Sequence, residues 1–123
     1  MFVRRKKEII FTGRAAPAFT FWKRFKGLML KKTFPHEYDA LFLAPCKAIH
    51  TFFMRFAIDV VFLNKKNEIV ALYPSLAPWR VTPPCREAEA ALEFAGGTID
   101  KFSLACGDLL HWRAEKKGGK EEV

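Results

Sequence analysis

The clearest alternation of hydrophobic and polar positions lies in the middle of the chain. Residues 57–63 read AIDVVFL and are rich in β-branched and aromatic side chains, which favours a central β-strand. Strand geometry places Asp59 on the face opposite Ile58. The NKKN sequence of residues 64–67 predicts a turn, and residues 68–73 predict the returning strand of a hairpin.

Four further segments have strand-like patterns. Residues 2–12 mix apolar and charged positions and predict an edge strand, whose basic side chains discourage edge-to-edge pairing. Residues 38–44 predict a strand that Pro45 ends, and residues 109–113 predict the last strand. Residues 48–54 predict a short strand, in which alternation places on one face the side chains of His50, Phe52 and Met54.

Two segments have helical patterns. Pro17 suits a first helical turn, and residues 18–32 place apolar side chains at steps of three and four, namely Phe21, Trp22, Phe25, Leu28 and Met29. This spacing predicts an amphipathic helix over about residues 17–32. Residues 98–102 predict one helical turn with Thr98 as its cap.

The pattern of residues 86–94 fits two structures. Three alanines favour a helix, whereas the alternation of Leu92 and Phe94 with Glu93 favours a strand, and both interpretations stay open on pattern alone. The preceding residues 74–84 contain four prolines and predict an irregular connection, with residues 79–81 as a short extended piece.

These elements together predict the fold class. We expect a mainly β domain, a β-rich α+β fold, built as a small barrel or sandwich of mostly antiparallel strands with one main amphipathic helix. The chain has 123 residues, half of them hydrophobic, which suits one domain over residues 1–113 and excludes a disordered protein. The charged end, residues 114–123, is expected to be a flexible tail.

Composition adds expectations about environment. No apolar run approaches the roughly 20 residues of a membrane-spanning helix, and only three apolar residues follow the basic start, too few for a signal peptide. We therefore expect a cytoplasmic protein without a membrane partner. Gln is absent and Asn occurs only twice among many charged residues, a bias that favours a thermophilic source.

The net charge of +8 is unevenly distributed. Residues 1–32 carry ten Lys or Arg and one acid, whereas residues 33–113 carry eight basic and nine acidic groups. The basic N-terminal quarter could attract phosphates electrostatically. No nucleic-acid-binding motif accompanies it, so a strong nucleic-acid partner is not expected.

The candidate chemistry is concentrated near the central strand, where polar groups in apolar surroundings need partners. The candidate pocket or polar structural site consists of Cys46, His50, Thr51, Met54, Arg55, Asp59, Glu93 and Asp108. The three cysteines lack a CxxC pair and are expected to be reduced thiols. Cys46 and His50 alone do not complete a zinc site, so neither a metal nor a cofactor is expected.

The order of four short motifs resembles a known family. Residues 26–29 (KGLM), residues 50–63 (HTFFMRFAIDVVFL), residues 91–96 (ALEFAG) and the pair Gly107-Asp108 are similar to the bacterial and archaeal domain of unknown function 192 family. Ala57 departs from the family's central motif, which usually has Pro there. The resemblance implies a β-rich barrel or sandwich with a packed helix, and a strand over residues 88–94. It implies no activity, because the family is uncharacterised.

Three functions follow as hypotheses. We expect a small β-rich binding module for a small ligand or a peptide. One alternative is an enzyme in which Cys46, His50 and Asp59 act as thiol nucleophile, base and orienting acid. The other is weak nucleic-acid binding through the basic N-terminal quarter. Because no catalytic motif is present, the sequence favours a protein without enzymatic activity.

Overall fold

The computed structural model describes residues 2–5, 8–11, 13, 15–17, 32–34 and 39–112. These residues form mostly β-structure with one short helix. The elements in chain order are β1 Phe2–Arg5, β2 Glu8–Phe11, β3 Ala15–Pro17, β4 Ala40–Leu43, β5 Ile58–Leu63, β6 Ile69–Leu76, β7 Ala90–Ala95, α1 Thr98–Phe102 and β8 Leu109–His111.

The strands form two sheets. The smaller sheet has the order β1-β2-β8, with an antiparallel β1–β2 pair and a parallel β2–β8 pair. The larger sheet has the order β3-β4-β7-β5-β6, and all its pairs are antiparallel except β3–β4. The predicted mainly β fold class is confirmed. An isolated antiparallel bridge between Glu68 and Leu109 joins the β6 edge of the larger sheet to the β8 edge of the smaller sheet. Within the described residues no pairing joins the other two edges, β1 and β3, so the fold is not a closed barrel.

Strand β5 lies at the centre of the packing, as its apolar sequence predicts. All six of its residues are buried, because each face of the larger sheet is covered. One hydrophobic cluster lies between the two sheets and includes Val61 of β5, Ile9 of β2 and Leu110 of β8. The second cluster lies on the opposite face and combines Val60 of β5 with side chains of the connection between β4 and β5, namely Cys46, Ile49 and Met54.

The N-terminal segment differs from the prediction. Two strands, β1 and β2, lie where a single strand was predicted, and they pair antiparallel. Pro17, predicted as the first helical residue, is the last residue of β3. The predicted amphipathic helix lies outside the described residues from position 18 to position 31, and the predicted tail also lies outside them.

The ambiguous segment is a strand from Ala90 onwards, two residues later than the start that the family resemblance implies. β7 pairs with β4 on one side and with β5 on the other, so its backbone hydrogen bonds override the helical propensity of its alanines. Leu92 and Phe94 face the cluster between the sheets, and Ala91 faces the second cluster.

The predicted strand over residues 48–54 is wrong. Ile49, Thr51 and Met54 are buried, whereas His50, Phe52 and Phe53 are exposed, and this order does not alternate. A turn at residues 52–53 interrupts the extended backbone. The segment instead belongs to the β4–β5 loop, which we define as residues 44–57.

Candidate functional site

Asp59 is buried at the start of β5, and its partners are backbone groups. Its Oδ1 accepts hydrogen bonds from the N–H of Ser75 at 2.8 Å and of Gly97 at 3.2 Å, and its Oδ2 accepts one from the N–H of Ile99 at 2.6 Å. These three hydrogen bonds offset the free-energy cost of burying the carboxylate. It joins β5 to the end of β6 and to the start of α1.

Asp59 belongs to the candidate polar site predicted from the sequence, but none of its three donors is a residue of that predicted site. Ser75 reaches Asp59 because a β-bulge at residues 74–75 places two residues of β6 opposite one of β5.

The same carboxylate caps α1. Gly97 is the N-cap residue and Ile99 lies in the first turn, and both donate to Asp59. The predicted cap, Thr98, is wrong for that role, because its hydroxyl donates to the carbonyl of Ala95 at 2.8 Å.

Thr51 holds two loops together. Its hydroxyl donates to the carbonyl of Ala77 at 2.6 Å and accepts the N–H of Arg80 at 2.8 Å. Its backbone N–H donates to the Arg80 carbonyl, and its carbonyl accepts the N–H groups of Met54 and Trp79. Thr51 is fully buried, so it fixes the β4–β5 loop against the β6–β7 loop, defined as residues 77–89.

Further hydrogen bonds extend this pairing of the two loops. Ile49 and Thr82 form a reciprocal pair, in which the Ile49 carbonyl accepts the Thr82 N–H and the Thr82 hydroxyl accepts the Ile49 N–H, both at 2.9 Å. Lys47 donates through Nζ to the carbonyls of Arg86 and Ala88. The two loops therefore form one connected surface.

The outer side of this surface carries four rings that touch one another: His50, Phe52, Phe53 and Trp79, here called the aromatic patch. Ring centroids are 5.0 Å apart for His50–Phe52, 6.0 Å for Phe52–Trp79 and 4.7 Å for Phe53–Trp79. Phe52 is 37%, Phe53 48% and Trp79 56% exposed, which leaves large apolar area in contact with water. Val81, which pairs with His50 through an isolated β-bridge, extends the apolar surface.

Two residues of the aromatic patch have a left-handed backbone. The φ angle is 64° at Phe53 and 63° at Trp79. Bulky side chains rarely adopt this conformation, and it costs about 1 kcal/mol or more. Hydrogen bonds from the backbone N–H groups of Trp79 and Arg80 to Thr51 hold the second position in place.

The charged residues nearest to the aromatic patch in the chain are two arginines, Arg55 two positions after Phe53 and Arg80 directly after Trp79. Arg55 and Arg80 are exposed, and guanidinium groups only donate. His50 Nδ1 accepts the N–H of Phe52 at 3.3 Å, so the neutral ring carries its proton on Nε2. The sequence placed His50 and Arg55 among the candidates but missed the rings of Phe53 and Trp79. An isolated Trp within a proline-rich segment was the available signal.

Glu93 is a second buried carboxyl group, on the other face of the sheet from Asp59. It lies on β7 between Leu41 and Val60, and burial raises its pKa to about 8. No hydrogen bond to its carboxyl group is present among residues 39–112 or the shorter described segments. Glu93 is therefore protonated and neutral at pH 7.

The other predicted residues have structural surroundings. Cys46 is buried, and its Sγ lies 3.2 Å from the carbonyl oxygen of Ala48. Met54 packs in the second cluster. Asp108 is buried and accepts the Ala105 N–H through Oδ2 at 2.9 Å, which fixes the turn before β8. The candidates thus divide among several places: five of them, Cys46, His50, Thr51, Met54 and Arg55, belong to the β4–β5 loop, and of these only His50 is part of the aromatic patch.

The proposed grouping of Cys46, His50 and Asp59 gains no support from the hydrogen bonds. Asp59 accepts three backbone N–H groups, and His50 is exposed with Nδ1 directed at Phe52. In the part of the chain that the structure describes, no three His, Cys, Asp or Glu side chains are grouped as metal ligands. None of the described helices is long and apolar enough to cross a membrane.

Comparison with known proteins finds relatives among archaeal proteins. The chain is 40% identical over 115 residues to a UPF0127 protein of Pyrococcus furiosus, covering 89% of this chain and 94% of the relative. It is 36% identical over 122 residues to a UPF0127 protein of Thermococcus sibiricus, covering 95% and 77%. These organisms are thermophilic archaea, in agreement with the scarcity of Asn and Gln.

Solved structures share the fold at low sequence identity. A protein of unknown function from Novosphingobium aromaticivorans superposes with a TM-score of 0.71 at 18% identity, over 88% of this chain and 80% of that one. A putative transcription regulator from Sinorhizobium meliloti gives 0.66 at 17% identity, over 77% and 78%. The DUF192 family model, described as an uncharacterized ACR, matches residues 2–112. The chain therefore belongs to the DUF192 family.

Proposed function

We propose that this protein is a binding module and that the aromatic patch is its contact surface. The observation that carries the proposal is the exposure of three large rings, Phe52, Phe53 and Trp79, that contact one another instead of packing in the core. Contiguous exposed apolar surface with neighbouring arginines has the composition of interaction hot spots.

The backbone of the aromatic patch supports the same proposal. A strained conformation persists only where the surrounding structure enforces it, and such positions are concentrated at functional sites. At Phe53 and Trp79 the left-handed backbone turns apolar rings towards solvent, where they add little to core packing. The buried Thr51 enforces this arrangement through both loops.

The sequence analysis expected a binding module for a small ligand or a peptide; the proposal keeps the binding role and moves the site onto the loops. Asp59, Cys46 and Asp108 then stabilise the scaffold. Cys46, Cys85 and Cys106 form no disulfide, which suits a reducing compartment and supports a cytoplasmic module.

A thermal-shift screen with matched variants tests the proposal. The panel comprises nucleotides, short oligonucleotides, peptides and lipid headgroups. The test variant is Phe53→Asn with Trp79→Asn, which removes two rings and keeps residues that tolerate positive φ. A compound that raises the Tm of the wild type and not of this variant supports the proposal. Equal Tm shifts in both proteins would place the site elsewhere.

A further inference from the structure

The proposed binding role leaves the partner's chemistry open, and the following inference rests on that role. We infer that the aromatic patch binds single-stranded nucleic acid, with its rings stacked on bases and the neighbouring cations paired with phosphates. The two requirements of such a site are exposed ring faces and a positively charged surround.

The exposure of the rings restricts the partner. Phe52, Phe53 and Trp79 are each between one third and three fifths exposed on the outer side of the loops. A ring that projects from a surface needs a partner that offers either a pocket or a flat apolar face. A short flexible peptide cannot enclose several rings, whereas unpaired bases present flat faces that stack on aromatic side chains.

The polar surroundings of the rings restrict the charge of the partner. The patch-bearing residues 50–57 and 77–82 contain Arg55 and Arg80 and no acid. Thr51 and Thr82 are buried within the loops, so the exposed polar side chains of these segments offer N–H donors. Such a surface complements an acceptor-rich anion, and the net charge of +8 attracts a polyanion over a longer range.

The rings and the cations together favour a single strand over a duplex. A duplex presents phosphates but stacks its bases internally, so it satisfies the arginines and leaves the rings in water. A single strand satisfies both. Duplex binding is therefore expected to be weak and sensitive to salt, whereas binding to a single strand depends on the rings as well.

Fluorescence anisotropy with the full chain tests the inference. The probes are RNA and DNA single strands of about twelve nucleotides and the corresponding DNA duplex, at low and physiological salt. We expect at least about tenfold tighter binding to a single strand than to the duplex, and about a tenfold loss of that binding in Trp79→Asn. Duplex binding by the same variant is expected to be unchanged.

Two controls separate stacking from charge and from unfolding. Arg80→Ser and Lys66→Ser each remove one exposed positive charge, but Lys66 lies in the turn after β5, at the opposite end of that strand from residues 50–57. Arg80→Ser is expected to weaken single-strand binding more than Lys66→Ser does. Unchanged melting of Trp79→Asn shows that the loss of binding is local.

The results that would contradict the nucleic-acid inference differ from those that would contradict the proposed function. Equal affinity for single strands and duplex, or equal single-strand affinity of wild type and Trp79→Asn, would overturn the inference. If anionic vesicles of phosphatidylserine and phosphatidylcholine are bound through Trp79 while oligonucleotides are not, the nucleic-acid inference fails and the aromatic patch remains a binding surface. If patch variants lose no binding to any probe in the thermal-shift panel, the proposed function fails as well.

Discussion

At the residue scale, Asp59 is expected to be the most costly polar side chain to remove. Asp59→Ala leaves the N–H groups of Ser75, Gly97 and Ile99 without their acceptor, at a cost of about 2–4 kcal/mol in the free energy of unfolding. Asp59→Asn is expected to cost less, because its carbonyl can still accept the two bonds of Oδ1 while its NH₂ meets the Ile99 N–H. Chemical denaturation measures both.

The control for Asp59 is Asp100, an exposed acid in the first turn of α1. Asp100→Ala is expected to change the free energy of unfolding by no more than about 0.5–1 kcal/mol, because only the helix dipole is affected. A denaturation midpoint of Asp59→Ala equal to that of the wild type would show that the three bonds contribute nothing.

At Trp79 the usual order of stability of glycine and alanine variants is expected to be reversed. Because φ is 63° there, Trp79→Gly is expected to be more stable than Trp79→Ala by about 1 kcal/mol. Phe52 is not among the described positions of positive φ, so the ordinary order applies and Phe52→Gly is less stable than Phe52→Ala by about 0.5–1 kcal/mol. Chemical denaturation of the four variants tests this prediction. If the Gly variant is less stable than the Ala variant at both positions, the backbone at Trp79 is not strained.

Glu93 gives a prediction about pH. Its pKa is raised in the folded state from 4.5 to about 8, so the folded protein keeps a proton that the unfolded chain loses. This contribution to stability is complete below pH 4.5, falls as the pH rises towards 8, and is constant above it, with a slope of at most about 1.4 kcal/mol per pH unit.

The variant Glu93→Gln removes that proton equilibrium. Its free energy of unfolding is expected to vary less between pH 5 and pH 8 than that of the wild type, and to exceed the wild-type value at pH 8. Glu87→Gln, at an exposed position, serves as the control. Parallel pH curves for wild type and Glu93→Gln would mean that Glu93 is ionised in the folded protein.

At the element scale, the pairing of the two loops depends on Thr51. Thr51→Val keeps the shape but leaves the Arg80 N–H and the Ala77 carbonyl without the hydroxyl, at a cost of about 1–3 kcal/mol. Thr51→Ser keeps the hydroxyl and is expected to be closer to the wild type. Hydrogen exchange at the Arg80 amide should accelerate in Thr51→Val alone, and equal exchange in both variants would show that the hydroxyl is dispensable.

The elements also show which parts of the fold the sequence contains. β5 and β6 follow from local pattern, because a buried hairpin needs only apolar alternation and a turn. Residues 48–54 mislead, because their order depends on contacts of Thr51 with positions some 26 to 29 residues away. The partners of Asp59 lie 16, 38 and 40 residues away in the chain, so buried polarity was predictable at that position but its donors were not.

At the scale of the whole molecule, fold class and family followed from the sequence, whereas the candidate surface did not. The central strand was correctly predicted as the centre of the packing, and Cys46, His50 and Asp59 were predicted as candidate functional groups. The exposed rings at Phe53 and Trp79 instead come from two loops that are separated in the chain by β5 and β6 and contact each other in the folded structure. Apolar residues in a sequence predict burial, and their exposure can be recognised only in three dimensions.

The parallel pairing of β8 with β2 brings the first and last strands of the chain together. Phe2 lies opposite Phe11 on one side of β2, and His111 pairs with Ile10 on the other. Since neighbouring strands are about 4.8 Å apart, β1 and the end of β8 are separated by roughly 10 Å, a distance that residues 113–123 exceed when extended.

The fold should therefore tolerate circular permutation, in which the same strands follow one another from a different starting point in the chain. A circular permutant that joins Val123 to Met1 and begins at Lys66, within the turn after β5, keeps every sheet pairing and is expected to unfold cooperatively as the wild type does. A permutant opened within β5 is the control and is expected to fail. If both fail, continuity through the turn is required; if the first succeeds, the architecture is independent of where translation starts.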